Sequence, residues 1–352
     1  MKIMIYGAYG FTAKLIIEKM VAEGMNPVLA GRKVRPLEEV ANEFGLTATV
    51  FDLNSPKVIR RELERVDLVL HCAGPFKVTG KPMIDACIDT STHYLDITGE
   101  LEIFEYCQEV SNNAKANNVL LLPGCGFDII PTENLGVLLH SKLPDANSLE
   151  IAIYGLGKPS KGTTRSVIGV MASGSRIRQN GDLVEIPYGS QPKEFTFANG
   201  KTRTCIPVPL PDLIATFQST GIANIKMYFT MKPMQIRMTG FFQPLMRVLR
   251  FNPLASIVEW IVGKLASNPD EEFRADSPSY IIGIVHNGEK SIQADLVTPN
   301  AYDLTATATV QAVKHIEGLN SIPTGYVAPS EVLGSDFITT LGGVDINYHQ
   351  KY

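Results

Sequence analysis

The sequence predicts an α/β protein in which a doubly wound parallel sheet is followed by an α+β domain on a largely antiparallel sheet. Three observations predict it. Over the first 130 residues, short apolar runs alternate with segments long enough for a helix. After about residue 145, three Asn-Gly pairs (Asn180-Gly181, Asn199-Gly200 and Asn287-Gly288) lie between stretches of strand composition. Between the first apolar run and the first helical pattern stands a turn punctuated by Gly7 and Gly10.

Taken in order, strands are expected at Ile3 to Tyr6, Pro27 to Ala30, Thr47 to Phe51, Leu68 to Cys72, Tyr94 to Ile97 and Val119 to Leu122. These runs are apolar almost throughout, as strands buried on both faces of a parallel sheet must be. In the first helix Leu15, Ile16, Met20 and Ala22 supply an apolar side, and Gly24 supplies the stop. Later, each Asn-Gly pair tolerates the positive φ of a tight hairpin turn, so "DLVEI", "EFTF" and "SYIIGIVH" read as paired strands. Helical spacing returns from Ala301 to Leu319. The expected division is residues 1–130, 131–320 and a closing segment, 321–352.

Composition narrows the function. Lys and Arg number 32 against 36 Asp and Glu, for a net charge of -4, so no overall basic field exists for nucleic acid. The five cysteines lie far apart, form no C-x-x-C pair and are odd in number, which reads as free thiols in a reducing cytoplasm. Only Met1 and Lys2 precede the first strand, so no signal peptide is expected. The six histidines show no metal-ligand spacing, and no metal is expected.

Gly7, Gly10 and Ala13 form G-x-x-G-x-x-A directly after the first strand, a variant of the dinucleotide fingerprint. Gly7 makes the turn, Gly10 admits the pyrophosphate, and Tyr9, Phe11 and Thr12 lie beside it at the positive end of the helix. At the end of the second strand, where NAD sites place an acid, stands "GRKVR" with Arg32. Arg32 is therefore the expected clamp for a 2′-phosphate, and NADP the expected cofactor. Asp52, after the third strand, is either an adenine contact or a turn residue. Ala73, Gly74 and Pro75 end the fourth strand, where they would pass along the cofactor, while Gly124 and Gly126 would allow close approach near the nicotinamide.

"GAYGFTA", "AGR", "CAGPF", "HYLDITGE", "PGCGFDIIPT" and "GKPSKGTTRS", in this order, resemble the saccharopine dehydrogenase-like oxidoreductases, a group that includes saccharopine reductases and trans-acting enoyl reductases. The resemblance implies an NADP-binding Rossmann domain, a second α/β domain, and a C-terminal segment that packs back on the first. It also implies that the second sheet pairs subunits as a homodimer. Tyr9 departs from it, standing where Thr or Ser is usual, and Ala13 stands where Gly is usual.

Hydride chemistry needs a proton donor or a charge stabiliser beside the nicotinamide. Asp128 and Tyr94 are candidates for the donor; the alternatives are a helix cap for Asp128 and a packed ring with a satisfied hydroxyl for Tyr94. Arg165, with Lys161, is a candidate for binding a substrate carboxylate or the cofactor's phosphates. Tyr154 with Lys158 and Tyr228 with Lys232 match Y-x-x-x-K, but glycines or a proline break the helix that dyad needs. Finally, Leu254, Ile257, Val258, Ile261, Val262 and Leu265 form an apolar helical stripe within residues 241–267. Its charges and prolines exclude a span of the required ~20 residues. Core, subunit interface, and lipid or lipophilic-substrate contact are its alternatives. The expected function is reduction of an enoyl-type or other lipophilic C=C, C=N or C=O acceptor by NADPH. An amino-acid imine reductase and a non-catalytic NADP sensor are the alternatives.

Overall fold

A computed structural model of the chain describes residues 1–155, 174–234, 236 and 269–351. The chain divides into two compact units, Met1–Ile130 with Tyr302–Gly334, and Pro131–Ala301 with Ser335–Tyr352.

The first unit is built on seven parallel strands: β1 (Ile3–Tyr6), β2 (Val28–Gly31), β3 (Ala48–Val50), β4 (Leu68–His71), β5 (His93–Asp96), β6 (Leu120–Leu122) and β15 (Gly325–Tyr326). Their order is β15-β6-β5-β4-β1-β2-β3. Winding thus proceeds outward in both directions from the adjacent β1 and β4, and the six strands expected from sequence are all present within a residue or two of their expected ends. Every residue of β1, β4 and β6 is buried, as an apolar strand covered on both faces requires. Helix α1 (Phe11–Ala22) buries Ala13, Ile16, Ile17 and Met20. That spacing is i, i+3, i+4, i+7, so Ala13 and Ile17 carry the stripe rather than Leu15 and Ala22. Each of the larger three stabilises the unit by about 1.5–3 kcal/mol relative to an exposed position.

The helix Ala301–Glu317 and β15 belong to this first unit, which moves the expected boundary from 320 back to 301. The reason lies in the loop after β6. Thr305 accepts a 3.0 Å hydrogen bond from the Phe127 N–H, and the Thr309 hydroxyl donates to the Cys125 carbonyl at 2.9 Å. Val310, Val313 and Ile316 of the same helix are fully buried.

The second unit carries β7 (Ser148–Tyr154), β8 (Ser175–Gln179), β9 (Asp182–Ile186), β10 (Lys193–Thr196), β11 (Thr202–Pro207), β12 (Asn224–Thr230), β13 (Ser279–His286), β14 (Ser291–Thr298) and β16 (Asp345–Lys351). All its strand pairs are antiparallel except β7 with β12. The three Asn-Gly pairs each join neighbouring strands. Asn180 and Gly181 both have positive φ, 52° and 88°, as a two-residue hairpin between β8 and β9 demands. At Asn199 and Asn287 the glycine alone is positive, and the Asn side chain accepts backbone N–H groups across a longer loop. The last strand, β16, pairs with β14, and residues 335–352 belong to the second unit, whereas the sequence expectation assigned them to the first. Helix α7 (Ile130–Lys142) lies against β13 at Gly283, where a Cβ would stand 2.6 Å from Leu139 and 2.9 Å from Leu135.

Among the described residues no helix is long and apolar enough to cross a membrane, and no group of His, Cys, Asp and Glu is placed to hold a metal. Arg165, Lys161 and the apolar stripe within 241–267 lie outside the described residues.

Candidate active site

The candidate residues of the first unit sit where its strands end in the C-terminal direction, the edge at which open α/β sheets bind ligands. The turn after β1 is tied to the strands on either side of it. The Gly7 and Ala8 N–H groups donate to the Ala30 carbonyl at 2.8 and 3.2 Å, and the Cys72 N–H donates to the Tyr6 carbonyl at 2.8 Å. Gly7 has φ +87°, and a Cβ on it would stand 2.8 Å from that of Ala73. The turn and the loop after β4 therefore touch through a residue without a side chain. Gly10, in extended conformation, is the N-cap of α1 and offers no side-chain cap to the helix. A helix N-terminus with no side-chain cap at Gly10, behind a glycine turn, fits a pyrophosphate, whose oxygens would accept first-turn N–H groups. The Phe11 ring itself packs edge-on against Tyr302, 5.2 Å between centroids.

The adenosine end is defined by β2 and β3. Arg32 is exposed directly after Gly31, and the Tyr9 ring lies on Gly31. The Tyr6 hydroxyl donates to the Phe51 carbonyl at 3.2 Å, within electrostatic reach of Tyr9, Arg32 and Asp52. Burial pushes the Tyr6 phenol well above its ordinary range. Asp52 accepts the Asn54 N–H at 2.9 Å, the turn role that sequence offered as one of its two alternatives.

Toward the nicotinamide end, the loop Ala73, Gly74 and Pro75 leads into α4 (Phe76–Thr90) and is held from two sides. The Thr79 hydroxyl lies 2.5 Å from the Ala73 carbonyl and 3.1 Å from that of Pro75. With its proton so used, its oxygen accepts from His71 Nε2, 3.0 Å away. His71 is completely buried beside Tyr6, Phe76 and Tyr94, and burial pushes it down to about 3, so it is neutral. From the other side Glu100, which sequence reasoning missed, accepts the Phe76 N–H at 3.1 Å and the Lys77 N–H at 2.7 Å.

Asp96, at the end of β5, accepts the Tyr94 hydroxyl at 2.6 Å, the Thr98 N–H at 3.0 Å and the Gly124 N–H at 2.7 Å. Burial, outweighing these bonds, pushes its carboxyl up to about 6. Tyr94 is fully buried, and burial with the neighbouring Asp96 charge raises its phenol well above its ordinary value. Its hydroxyl is committed to Asp96 and reaches no open surface, the packed ring with a satisfied hydroxyl that sequence offered as the alternative to a proton donor. Gly124 and Gly126 are each in close contact with side chains of the first unit. A Cβ on Gly124 would stand 2.7 Å from Ile129 and Phe104, and one on Gly126 2.8 Å from Thr305. Both serve packing of the loop. The thiols of Cys72 and Cys125 are raised by burial and are not activated.

Asp128 stands apart from these. It is half-buried, and no hydrogen bond ties its carboxyl to the following helix among the described residues, so the cap alternative fails. The carboxyl rests on Gly99, where a Cβ would collide with Oδ2. Burial first, and the Glu100 charge second, push it up to about 6.

The glycine turn, the α1 N-terminus and the exposed arginine on a doubly wound parallel sheet are the features of a Rossmann-type dinucleotide-binding domain. Comparison with known proteins adds to this: residues 3–122, about a third of the chain, match the family described as the saccharopine dehydrogenase NADP-binding domain, and the cofactor that match supports is NADP. A probable mitochondrial saccharopine dehydrogenase-like oxidoreductase of Arabidopsis thaliana is 33% identical over 159 residues, 40% of this chain and 34% of that protein. A trans-acting enoyl reductase of Mycobacterium leprae is 32% identical over 139 residues, 37% of this chain and 33% of that protein. The matched stretch thus spans about a third of the length of these relatives. Apo saccharopine dehydrogenase (L-Glu forming) from Saccharomyces cerevisiae matches over 100% of both chains with a TM-score of 0.69 at 12% identity, a likeness of fold.

Proposed function

We propose that the protein is an NADPH-dependent reductase of an electron-poor C=C in a lipophilic, enoyl-type substrate, with Asp128 as the proton donor. The observation that carries the reading is the Asp128 carboxyl. It is half-buried at the carboxyl edge of the sheet, and no hydrogen bond among the described residues engages it. Burial and the charge of Glu100 push it up to about 6. A general acid works best when its pKa lies near the working pH, and carboxyls reach that range by burial beside a like charge. The similarity to an enoyl reductase supports the choice of acceptor.

NADPH, when bound, supplies the hydride. The chain's own residues do the rest. Gly7, Gly10, Phe11 and Thr12 receive the pyrophosphate, with Arg32 and Tyr9 at the adenosine end and Asp52 at the adenine edge. Ala73, Gly74 and Pro75 line the path of the nicotinamide ribose. Asp128 gives its proton to the substrate atom adjoining the one reduced, and is reprotonated from solvent. Arg165, with Lys161, is assigned to a carboxylate or phosphate of the bound molecules.

Turnover of NADPH with a long-chain enoyl thioester, compared with an amino-acid imine, tests the reading. Enoyl reduction is expected, and kcat/KM should fall as pH rises past about 6. Asp128→Asn should lose at least ~100-fold in kcat while NADPH affinity holds. Tight NADPH binding without turnover of either acceptor would replace the enzyme with a sensor. Turnover of the imine alone would replace the substrate class.

A further inference from the structure

We infer that Glu100 is the positioning residue of this site: capping α4 fixes the loop after β4, and its fixed negative charge keeps the proton on Asp128. The inference rests on the reading of Asp128 as the acid. It stands on the unequal surroundings of two carboxyls placed on adjoining backbone. Glu100 receives two backbone N–H groups, from Phe76 and Lys77, at the positive end of a 15-residue helix. A carboxyl serving two donors there does so as the carboxylate. Asp128 lies against Gly99, the residue before Glu100, and among the described residues receives no donor. Two neighbouring carboxyls whose environments differ in this way divide the roles of anion and acid between them.

Among the described residues, the other charged groups nearby leave this assignment in place. Asp96, from the end of β5, has its carboxyl engaged by Tyr94, Thr98 and Gly124. Lys77, in the first turn of α4, has an exposed side chain. Among the described residues, the charge that acts on Asp128 is that of Glu100. Burial of Asp128 is the larger cause of its shift, so removal of the charge should undo part of it.

The test needs no turnover. In the full chain, the Asp128 carboxyl is titrated by carbon NMR, assigned through Asp128→Asn. Glu100→Gln keeps an oxygen for the cap and removes the charge, and should lower the Asp128 midpoint by about 1 pH unit. Glu100→Asp keeps the charge on a shorter arm and should hold the midpoint near that of the unaltered protein. An unchanged midpoint in folded Glu100→Gln would overturn the proposal. So would a Glu100→Asp protein that behaves like Glu100→Gln, since the cap alone would then account for the effect. If the midpoint moves as expected but Asp128→Asn turns over normally, the acid reading fails and the electrostatic coupling stands.

Discussion

The ring of Tyr9 rests on the backbone of Gly31: a Cβ at Gly31 would stand 2.7 Å from Cε1 of the tyrosine. The ring thereby lies between the phosphate turn and the residue that precedes Arg32. Gly31→Ala should displace it. Because the atom met is the far end of a side chain, the cofactor-free protein should lose little stability, while NADPH affinity falls about 10-fold. In Tyr9→Ala the same Gly31→Ala change should have no further effect, since the two act through one contact. Additive losses in the double variant would show that Gly31 acts without Tyr9.

Arg32 is the residue proposed to set cofactor choice. NADPH should bind at least ~10-fold more tightly than NADH, the effect of one charge-assisted phosphate clamp. Arg32→Ala should abolish that ratio while leaving NADH affinity nearly unchanged. Equal affinities in the unaltered protein would remove Arg32 from the site.

Two glycines of the turn should separate by experiment. At Gly7 a Cβ faces both a left-handed backbone and the main chain of Ala73, 2.9 Å from its nitrogen. Gly7→Ala should therefore cost the cofactor-free protein on the order of 1–3 kcal/mol. At Gly10 the nearest atom to a Cβ is the Gly7 carbonyl oxygen at 3.1 Å, a tight but not prohibitive contact. Gly10→Val should abolish NADPH binding with a much smaller change in melting temperature. A larger loss at Gly10 than at Gly7 would contradict this reading of the turn.

His71 should make stability depend on acidity. Folded, it takes a proton only near pH 3; unfolded, it does so near its ordinary value of about 6.5. Between the two the unfolded chain binds more protons, so the contribution is full above about pH 6.5 and is lost as pH falls toward 3. The slope is at most about 1.4 kcal/mol per pH unit. Asp96, raised to about 6, acts with the opposite sign: its contribution is full at low pH and is lost as pH rises through 6. That contribution cancels between the unaltered protein and His71→Gln. The stability gap between these two proteins, measured by urea unfolding, should shrink from pH 7 to pH 5. A constant gap would mean that His71 does not titrate as its burial requires.

Sequence revealed the parallel sheet because strands such as "IMIY" and "LLL" are apolar throughout, and the three hairpins because Asn-Gly tolerates positive φ. Both signals are local. Membership of the units was not legible, since the pairing of β16 with β14 and the docking of Thr305 on Phe127 join residues far apart in the chain. The phosphate turn and Arg32 could be proposed from spacing. Glu100 could not, because its partners Phe76 and Lys77 precede it by more than twenty residues and contribute only backbone N–H groups. For Tyr94 sequence left two alternatives open, donor or packed ring with a satisfied hydroxyl, because the partner that takes its hydroxyl, Asp96, could not be read from spacing.

The return of the chain to the first unit has a consequence for biosynthesis. A ribosome that has released residues 1–130 has made six of the seven strands, yet β6 then has no outer neighbour, because Gly325 and Tyr326 come almost two hundred residues later. The loop carrying Cys125 and Phe127 likewise waits for Thr305 and Thr309. During that interval the nascent sheet presents an unprotected apolar edge. Premature termination anywhere before residue 302 should therefore yield not a smaller functional nucleotide-binding module but an aggregation-prone fragment.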